Sequence, residues 1–350
     1  MEMNRSEVVV VTGASAGVGR AVVREFAKRK AKIALLARGK DGLEGARAEV
    51  ESAGGEALVL PTDVADPDQV EAAAAAVEAA FGPIDIWVNN AMVTVLSPFK
   101  EMTPAEFKRV TEVTYLGVVY GTMAALKRML PRDRGTIVQV GSALAYRSIP
   151  LQSAYCGAKH GIRGFTNSLR SELIHDQSRV RITMVQLPAL NTPQFSWAKT
   201  RLPNQPQPVP PIFQPEVAAE AIYWAAHHDR RELSVGWPTV KAIEGNKVAP
   251  GFSDWYLAGF GYTGQQTDAP VDPNRPDNLW EPVPGDHGAH GIFDRRARSR
   301  SLQLGLNLHR VGAASMLGTI ALFSGWLIRL LVQERQEKRS STERRRFNGR

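Results

Sequence analysis

The stretch VVVVTGASAGVG, residues 8–19, decides the fold of this chain. Four consecutive β-branched residues without polar alternation predict a short strand buried on both faces of a sheet. The glycines that follow allow a tight turn in which the backbone can approach a phosphate, and the run that continues to Arg29 predicts a helix. A strand, a glycine turn and a helix in this order predict a dinucleotide site, although glycines can also simply close such a turn. The predicted diphosphate contacts are Gly13, Ser15, Ala16, Gly17, Val18 and Gly19.

The same alternation continues over the first 240 residues. Asp66-Pro67 and Thr103-Pro104 each combine a capping side chain with a proline at the first helical position, so they predict helix starts. Strands that alternate with helices predict a doubly wound parallel sheet of the Rossmann type, in an α/β domain spanning residues 1–245. Apolar runs that predict the remaining strands lie at 33–36, 57–60, 84–88, 136–140, 180–185 and near 233–235.

Composition narrows the class of protein further. The chain has 350 residues, of which 43% are hydrophobic, enough for a large core. Its single cysteine, Cys156, excludes an internal disulfide and a cysteine-based zinc site, and we expect no metal site. The first residues lack the apolar segment of a secretory signal, so we expect a cytoplasmic catalytic domain.

The basic charge belongs to the C-terminal part of the chain. Lys and Arg number 43 and Asp and Glu 35, which gives a formal charge of +8. Residues 294–350 carry 13 basic and 4 acidic side chains, which leaves 30 and 31 for residues 1–293. The first 293 residues are therefore close to neutral, and we expect no nucleic-acid partner.

Three regions follow the predicted domain. Residues 246–309 are rich in Gly and Pro and predict an extended or loosely packed arm. Residues 310–332 contain the 18 uncharged residues 311–328 and predict an apolar helix, and 333–350 form a basic tail. An 18-residue helix spans about 27 Å, close to the hydrocarbon core of a bilayer. Residues 311–332 are thus a possible transmembrane anchor, with an interfacial or oligomer helix and a buried core helix as alternatives.

Arg38 lies at the end of the second predicted strand, the position that contacts the adenosine ribose in a dinucleotide-binding fold. A carboxylate at this position would bind the ribose 2′-hydroxyl, whereas an arginine offers a fork of donors to a 2′-phosphate. Arg38 therefore favours NADP over NAD, unless it is an ordinary solvated side chain.

Three further side chains suit proton transfer. Tyr155 and Lys159 lie four residues apart in a predicted helix and therefore share one face, where the ammonium is expected to lower the pKa of the phenol. Ser142, at the end of a predicted strand, can donate a hydrogen bond to a carbonyl oxygen that gains negative charge. The three groups predict hydride transfer to a carbonyl, with Tyr155 as general acid/base.

Together these motifs resemble the classical short-chain dehydrogenase/reductase family over roughly residues 6–240, and Ser142 and Tyr155 have the family's 13-residue spacing. The resemblance implies that Lys159 also binds the nicotinamide ribose. It further implies that Thr114 replaces the asparagine that helps to hold a relay water, which leaves the strength of catalysis open. The other cofactor contacts that it implies are Asp63 and Val64 at the adenine, Asn90 and Ala91 after the fourth strand, and Thr192 at the nicotinamide amide.

The sequence thus predicts an NADP-dependent oxidoreductase that transfers a hydride between the nicotinamide and a carbonyl or secondary alcohol of a lipophilic substrate. The Pro-rich residues 190–215 predict a substrate lid that includes Phe195 and Trp197. The alternative is a non-catalytic NADP(H)-binding scaffold or sensor. Family members commonly assemble through two long helices, here about 103–130 and 155–176, so we expect a homo-oligomer.

Overall fold

The computed structural model describes residues 5–309. The chain divides into two units between residues 301 and 302. The second unit contributes one short helix, Leu302–Leu308, to the described residues. The fold and the candidate site below belong to the first unit.

A seven-stranded parallel sheet forms the centre of the first unit, in the order β3-β2-β1-β4-β6-β7-β11. Val8 to Val11 in β1 are fully buried, as a strand covered on both faces requires. The Rossmann-type α/β fold is therefore confirmed. The strands in the described residues are β1 (Val8–Thr12), β2 (Lys32–Ala37), β3 (Glu56–Pro61), β4 (Ile86–Asn89), β5 (Val95–Leu96), β6 (Thr136–Ser142), β7 (Arg181–Leu187), β8 (Lys199–Thr200), β9 (Asn204–Pro206), β10 (Ile212–Phe213), β11 (Glu232–Ser234), β12 (Gln266–Pro270) and β13 (Ala297–Arg298).

Helices form the layers around this sheet. The first helix packs against the second and the eighth, while the third packs against the fifth and the fourth against the sixth. The helices in the described residues are α1 (Gly17–Ala27), α2 (Lys40–Ser52), α3 (Pro67–Phe81), α4 (Pro104–Thr111), α5 (Gly117–Met129), α6 (Ser153–His175), α7 (Gln194–Trp197), α8 (Pro215–His227), α9 (Trp237–Val248), α10 (Pro250–Thr263) and α11 (Leu302–Leu308).

The predicted helix starts are confirmed. The Asp66 side chain accepts hydrogen bonds from the N–H groups of Asp68 and Gln69 at the start of α3. Thr103 and Glu106 form a reciprocal capping box at the start of α4. Side-chain oxygens thus satisfy N–H groups that have no partner within the helix.

The predicted helix over 103–130 is interrupted. A π-helical turn, Glu112–Leu116, separates α4 from α5. Within this turn Thr114 is fully buried, and its hydroxyl bonds the backbone of Val93. Such turns insert one residue into a helix, and here the insertion places a polar side chain against a loop of the sheet.

The region predicted as an extended or loosely packed arm contains regular elements. Residues 250–263 form helix α10, and β12 pairs antiparallel with β9 of the Pro-rich residues 190–215, called the insertion below. In addition β13 pairs with β10, so the arm is bound to the insertion by two strand pairs. The hydrogen-bonding partners of these strands are more than fifty residues away, and local composition does not identify them.

Within residues 5–309, no helix has both the length and the apolar character needed to cross a bilayer. The predicted apolar helix 310–332 and the basic tail 333–350 lie outside the described residues. The proposed anchor, the cytoplasmic location and the homo-oligomer stay predictions.

Candidate active site

The glycine turn between β1 and α1 admits no side chain at two positions. Gly13 has a φ of +67°, and a Cβ there would lie 2.9 Å from the Ala91 Cα. A Cβ at Gly19 would overlap the Gly13 carbonyl oxygen and the Asn90 amide. The turn, the start of α1 and the loop after β4 therefore approach each other at backbone distance, as a dinucleotide cradle requires.

Hydrogen bonds hold the loop after β4 on this turn. The Thr12 hydroxyl accepts from the backbone N–H groups of Asn90 at 2.9 Å and Ala91 at 3.0 Å. The Asn90 side-chain amide donates to the Thr12 carbonyl at 2.9 Å and to the Gly13 carbonyl at 3.3 Å. Asn90 and Ala91 thus form a wall of the groove whose position the end of β1 determines.

Helix α1 has no side-chain cap. Ala16 occupies the N-cap position, and the N–H of Gly17 donates to the carbonyl of Gly288 at 3.0 Å. The positive end of the helix dipole therefore faces a carbonyl oxygen from the arm, whose residues 246–301 are called the extension below.

Arg38 also contacts the extension. Its Nη1 donates to the Trp280 carbonyl and its Nη2 to the Asn278 carbonyl, both at 2.5 Å. Burial lowers the pKa of the Arg38 guanidinium, and the positive charge of Arg109 acts in the same direction. The Arg38 guanidinium, which is predicted to bind a ribose phosphate, thus lines the groove and donates hydrogen bonds to backbone carbonyl oxygens there.

Asp63 lies beside this arginine. Its Oδ2 accepts from Arg109 Nη2 at 2.6 Å, and its Oδ1 accepts from the Ala65 N–H at 3.0 Å. Arg109 also donates through Nε to the Leu279 carbonyl at 3.2 Å. The Asp63 carboxylate is therefore held in a charged pair at the adenine end of the predicted groove.

One cavity brings most of the predicted cofactor contacts together. Sequence reasoning missed the part of its lining that comes from the extension, namely Asn278, Pro282, Val283, Gly285 and His287. No local motif marks these residues, since only their distant packing brings them to the cavity. The predicted residues that line it are Gly13, Ser15, Ala16, Gly17, Val18, Arg38, Asp63, Val64, Asn90, Ala91, Thr192 and Trp197.

Helix α6 carries Tyr155 and Lys159 on adjacent turns. Lys159 Nζ lies 5.5 Å from the centroid of the Tyr155 ring and donates to the Val140 carbonyl at 2.7 Å. The Lys159 side chain is almost completely buried, and burial lowers the pKa of its ammonium to about 8. Because burial penalises the charged form, this lysine titrates nearer to neutrality than one on a surface.

Ser142 is the last residue of β6, and its Oγ accepts a hydrogen bond from the Leu144 N–H at 3.1 Å. Burial raises the pKa of the Tyr155 phenol above its ordinary value, and the Ser142 side chain acts against this rise. The sequence predicts a lowered pKa from the neighbouring ammonium. In the structure burial sets the direction of the shift, because the phenol loses water that would solvate its charged form.

A protein-family model described as short chain dehydrogenase matches residues 7–201. The chain belongs to the short-chain dehydrogenase family. An uncharacterized oxidoreductase from Bacillus subtilis, YxnA, is 31% identical over 299 residues, which cover 85% of this chain and 84% of that protein. Human dehydrogenase/reductase SDR family member 7 is 39% identical over 170 residues, 47% of this chain and half of that protein.

Two solved structures have folds similar to that of this dehydrogenase. A metagenomic short-chain oxidoreductase in complex with NADP has a TM-score of 0.55 at 28% identity, covering 66% of this chain and 96% of that one. Levodione reductase has a TM-score of 0.59 at 26% identity, covering 67% of this chain and 98% of that one. The match to the Bacillus protein is longer than these, and it extends well beyond residues 7–201.

Thr114 occupies the position where this dehydrogenase departs from the family pattern. Its hydroxyl donates to the Val93 carbonyl at 2.8 Å and accepts from the Val93 N–H at 3.1 Å. A hydroxyl has one proton, and Thr114 donates its proton to Val93. A relay water beside Thr114 could therefore donate to the hydroxyl oxygen but could not accept from it. The part of Thr114 in a relay stays a prediction.

The two predicted lid aromatics contact the extension of the dehydrogenase. The Phe195 ring meets the Phe293 ring edge-on at 6.4 Å, and the Trp197 ring meets the His287 ring at 4.7 Å. Helix α7, which carries both, follows Thr192 at the cavity. The insertion and the extension therefore form one side of the site together.

Proposed function

We propose that this dehydrogenase transfers a hydride between NADP and a carbonyl or secondary alcohol, with Tyr155 as general acid/base. The observation that carries the proposal is the position of Lys159, whose Nζ lies 5.5 Å from the Tyr155 ring and donates to Val140 of β6, the strand that ends at Ser142. These three groups suit a proton transfer to an oxygen that gains charge.

The residues at the groove fit the nucleotide. The glycine turn packs closely against the loop after β4, because a side chain at Gly13 or Gly19 would collide with Asn90, and this brings the backbone N–H groups at the start of α1 to the groove. Arg38 supplies the positive charge that suits a 2′-phosphate. The NADP complex of the metagenomic relative supports the choice of NADP over NAD.

When bound, the reduced nicotinamide supplies the hydride. Tyr155 gives its proton to the substrate oxygen as the carbonyl carbon is reduced, and takes it back in the reverse direction. Ser142 donates a hydrogen bond to the same oxygen and stabilises its developing charge. The ammonium of Lys159 favours the phenolate of Tyr155 after the proton has left.

We infer a lipophilic substrate from the lid. Residues 186–198 contain no charged side chain, and Phe195 and Trp197 lie within them. Such a surface offers apolar contact area and no partner for a charged substrate group.

One observation favours the alternative of a non-catalytic NADP(H)-binding scaffold or sensor. The only proton of the Thr114 hydroxyl is given to the Val93 carbonyl, whereas a proton relay needs donors and acceptors along its whole length. Both the oxidoreductase and the scaffold or sensor bind the nucleotide, but only the oxidoreductase converts a substrate.

The purified full chain, mixed with NADPH and a panel of lipophilic ketones, should consume NADPH, which absorbance of the nicotinamide measures. Tyr155→Phe should lower this rate by about 10²- to 10⁴-fold and leave NADPH affinity within a few-fold. Binding by the unaltered protein without turnover on the whole panel would favour the scaffold or sensor. Equal rates for the two proteins would exclude Tyr155 as the acid/base.

A further inference from the structure

Residues 278–291 of the extension, called the strap below, run along the groove from the adenine end to the nicotinamide end. At the adenine end the carbonyls of Asn278 and Trp280 accept the hydrogen bonds of Arg38. At the other end a Cβ on Gly291 would lie 2.5 Å from the Thr192 carbonyl oxygen. The strap therefore touches both residues that mark the ends of the proposed nucleotide site.

Polar contacts hold the middle of the strap. Arg20 is almost fully buried, and it donates to the Asp286 carboxylate through Nη1 at 3.0 Å and Nη2 at 3.1 Å. The Gly285 N–H donates to Asp41 Oδ2 at 2.9 Å. Asp286 itself is 42% exposed, so water can replace these contacts when they break.

Buried anchors lie on either side of this middle part. Leu279 is fully buried and Ala289 is 2% exposed, whereas Glu281, Pro284 and the residues 285–287 are exposed. Gly288, with a φ of +61°, offers a point at which the backbone can change direction. A segment with apolar anchors and a polar, exposed centre can open locally without unfolding the domain.

The strap also occupies donors that the nucleotide would use. The backbone of Gly17 has one N–H, and it is bonded to the Gly288 carbonyl at 3.0 Å. Carbonyl oxygens and phosphate oxygens are both acceptors, so they compete for this N–H, which is freed when Gly288 moves away.

We propose that the strap is a gate on the nucleotide site, and that NADP(H) binds and leaves only while the segment 281–288 is released. The proposal rests on the proposed function, since it assigns NADP(H) to this groove. A gate limits the rates of association and dissociation together, whereas a fixed wall changes the dissociation rate alone.

A disulfide latch tests the gate. A Cβ on Gly39 would lie 3.2 Å from the Pro282 Cβ, close to the separation in a disulfide, and the φ of −79° at Gly39 suits a cysteine. The full-length Gly39→Cys/Pro282→Cys variant can be compared with itself, oxidised and reduced. The native Cys156 is buried and identical in both forms.

Stopped-flow fluorescence of NADPH binding is the readout. The oxidised latch should bind NADPH at least about tenfold more slowly than the reduced form, and dithiothreitol should restore the faster rate. Equal rates in the two forms would overturn the gate while leaving the proposed function intact. If NADPH binds neither the reduced latch nor the unaltered protein, the proposed function itself fails, and the gate fails with it.

A second variant acts in the opposite direction. Asp286→Asn removes the charge that pairs with Arg20, and we expect both association and dissociation of NADPH to accelerate by about 3- to 10-fold. Asp268→Asn is the matched control, because Asp268 is an exposed carboxylate of the extension outside the strap. Faster dissociation without faster association would show a fixed wall and overturn the proposal.

Discussion

In the groove beside the glycine turn, the groups predicted to meet the cofactor are paired with protein oxygens, as Gly17 is with Gly288 and Arg38 with Asn278 and Trp280. Around Tyr155 and Lys159, burial is the main influence, and it shifts both pKa values away from those of exposed groups. Hydrogen-bond partners of similar chemistry can be exchanged, while burial is a property of the whole packed core.

The two regions are therefore controlled in different ways. We expect nucleotide binding to exchange the Gly288 carbonyl for a phosphate oxygen at the Gly17 N–H, so a change in one side chain of the strap should alter it. We expect proton transfer to depend on Lys159, which is buried, and on Tyr155, which is partly buried. Four substitutions test this contrast, and the one with the largest expected effect comes first.

The largest effect is expected at the glycine turn. In Gly19→Ala the new Cβ would overlap the Gly13 carbonyl oxygen, so the turn must move, and we expect a loss of about 3 kcal/mol or more in the free energy of unfolding. Urea unfolding measures this loss. Gly157→Ala in α6 is the control, because a Cβ there meets nothing within 4 Å, and it should stabilise the protein by about 0.5–1 kcal/mol. Similar losses for both variants would contradict the close approach.

The lowered pKa of the buried Lys159 should make the free energy of unfolding depend on pH. Its pKa is about 8 in the folded protein and about 10.4 in an unfolded chain. Between these values the unfolded state binds more protons, so folding becomes more favourable as the pH rises. Relative to Lys159→Met, the unaltered protein should therefore gain about 2–3 kcal/mol between pH 7 and pH 10.

Urea unfolding of both proteins at several pH values measures this difference. Below about pH 7 the difference should be constant, because Lys159 is protonated in both states there. A difference that stays flat through pH 10 would mean that the ammonium is solvated in the folded protein.

Arg38 should control the preference for the phosphorylated cofactor. Arg38→Gln removes the charge and the fork, and we expect NADPH affinity to fall by about 10- to 100-fold while NADH affinity changes little. Titration of both nucleotides with the same preparation gives the ratio of the two dissociation constants. Arg38→Lys keeps the charge and should lose less. An equal loss for NADH and NADPH would place the Arg38 fork away from the 2′-phosphate.

The smallest effect is expected at Thr114. Thr114→Val keeps the shape and leaves the buried N–H and carbonyl of Val93 without their partner, which should cost about 1–3 kcal/mol of stability. Thr114→Ser retains the hydroxyl and should stay within about 1 kcal/mol of the unaltered protein. Thermal unfolding distinguishes them. If the valine variant is as stable as the serine variant, the hydroxyl does not hold the loop.

Sequence patterns predicted the elements that their own residues stabilise. The run Val8–Val11 reads as a doubly buried strand because it has no polar side to expose, and β1 is completely buried. Asp66 and Thr103 each cap the helix that they precede, so a few adjacent residues contain the whole signal.

The features that sequence reasoning missed depend on distant partners. The π-helical turn at Thr114 is stabilised by Val93, twenty-one residues earlier in the chain. Arg38 was assigned to a phosphate, and its contacts with Asn278 and Trp280 cross about 240 residues. The pKa of Tyr155 was predicted from the charge of a neighbour, whereas burial by the complete fold dominates it.

The parallel sheet, the glycine turn and the side-chain chemistry of Ser142, Tyr155 and Lys159 follow from the sequence, because local sterics and residue identity set them. The packed fold adds the position of the strap along the cavity and the burial that shifts the pKa values of Tyr155 and Lys159. Solvent exclusion and long-range hydrogen bonds arise only when distant segments pack together, so no short stretch of the chain encodes them.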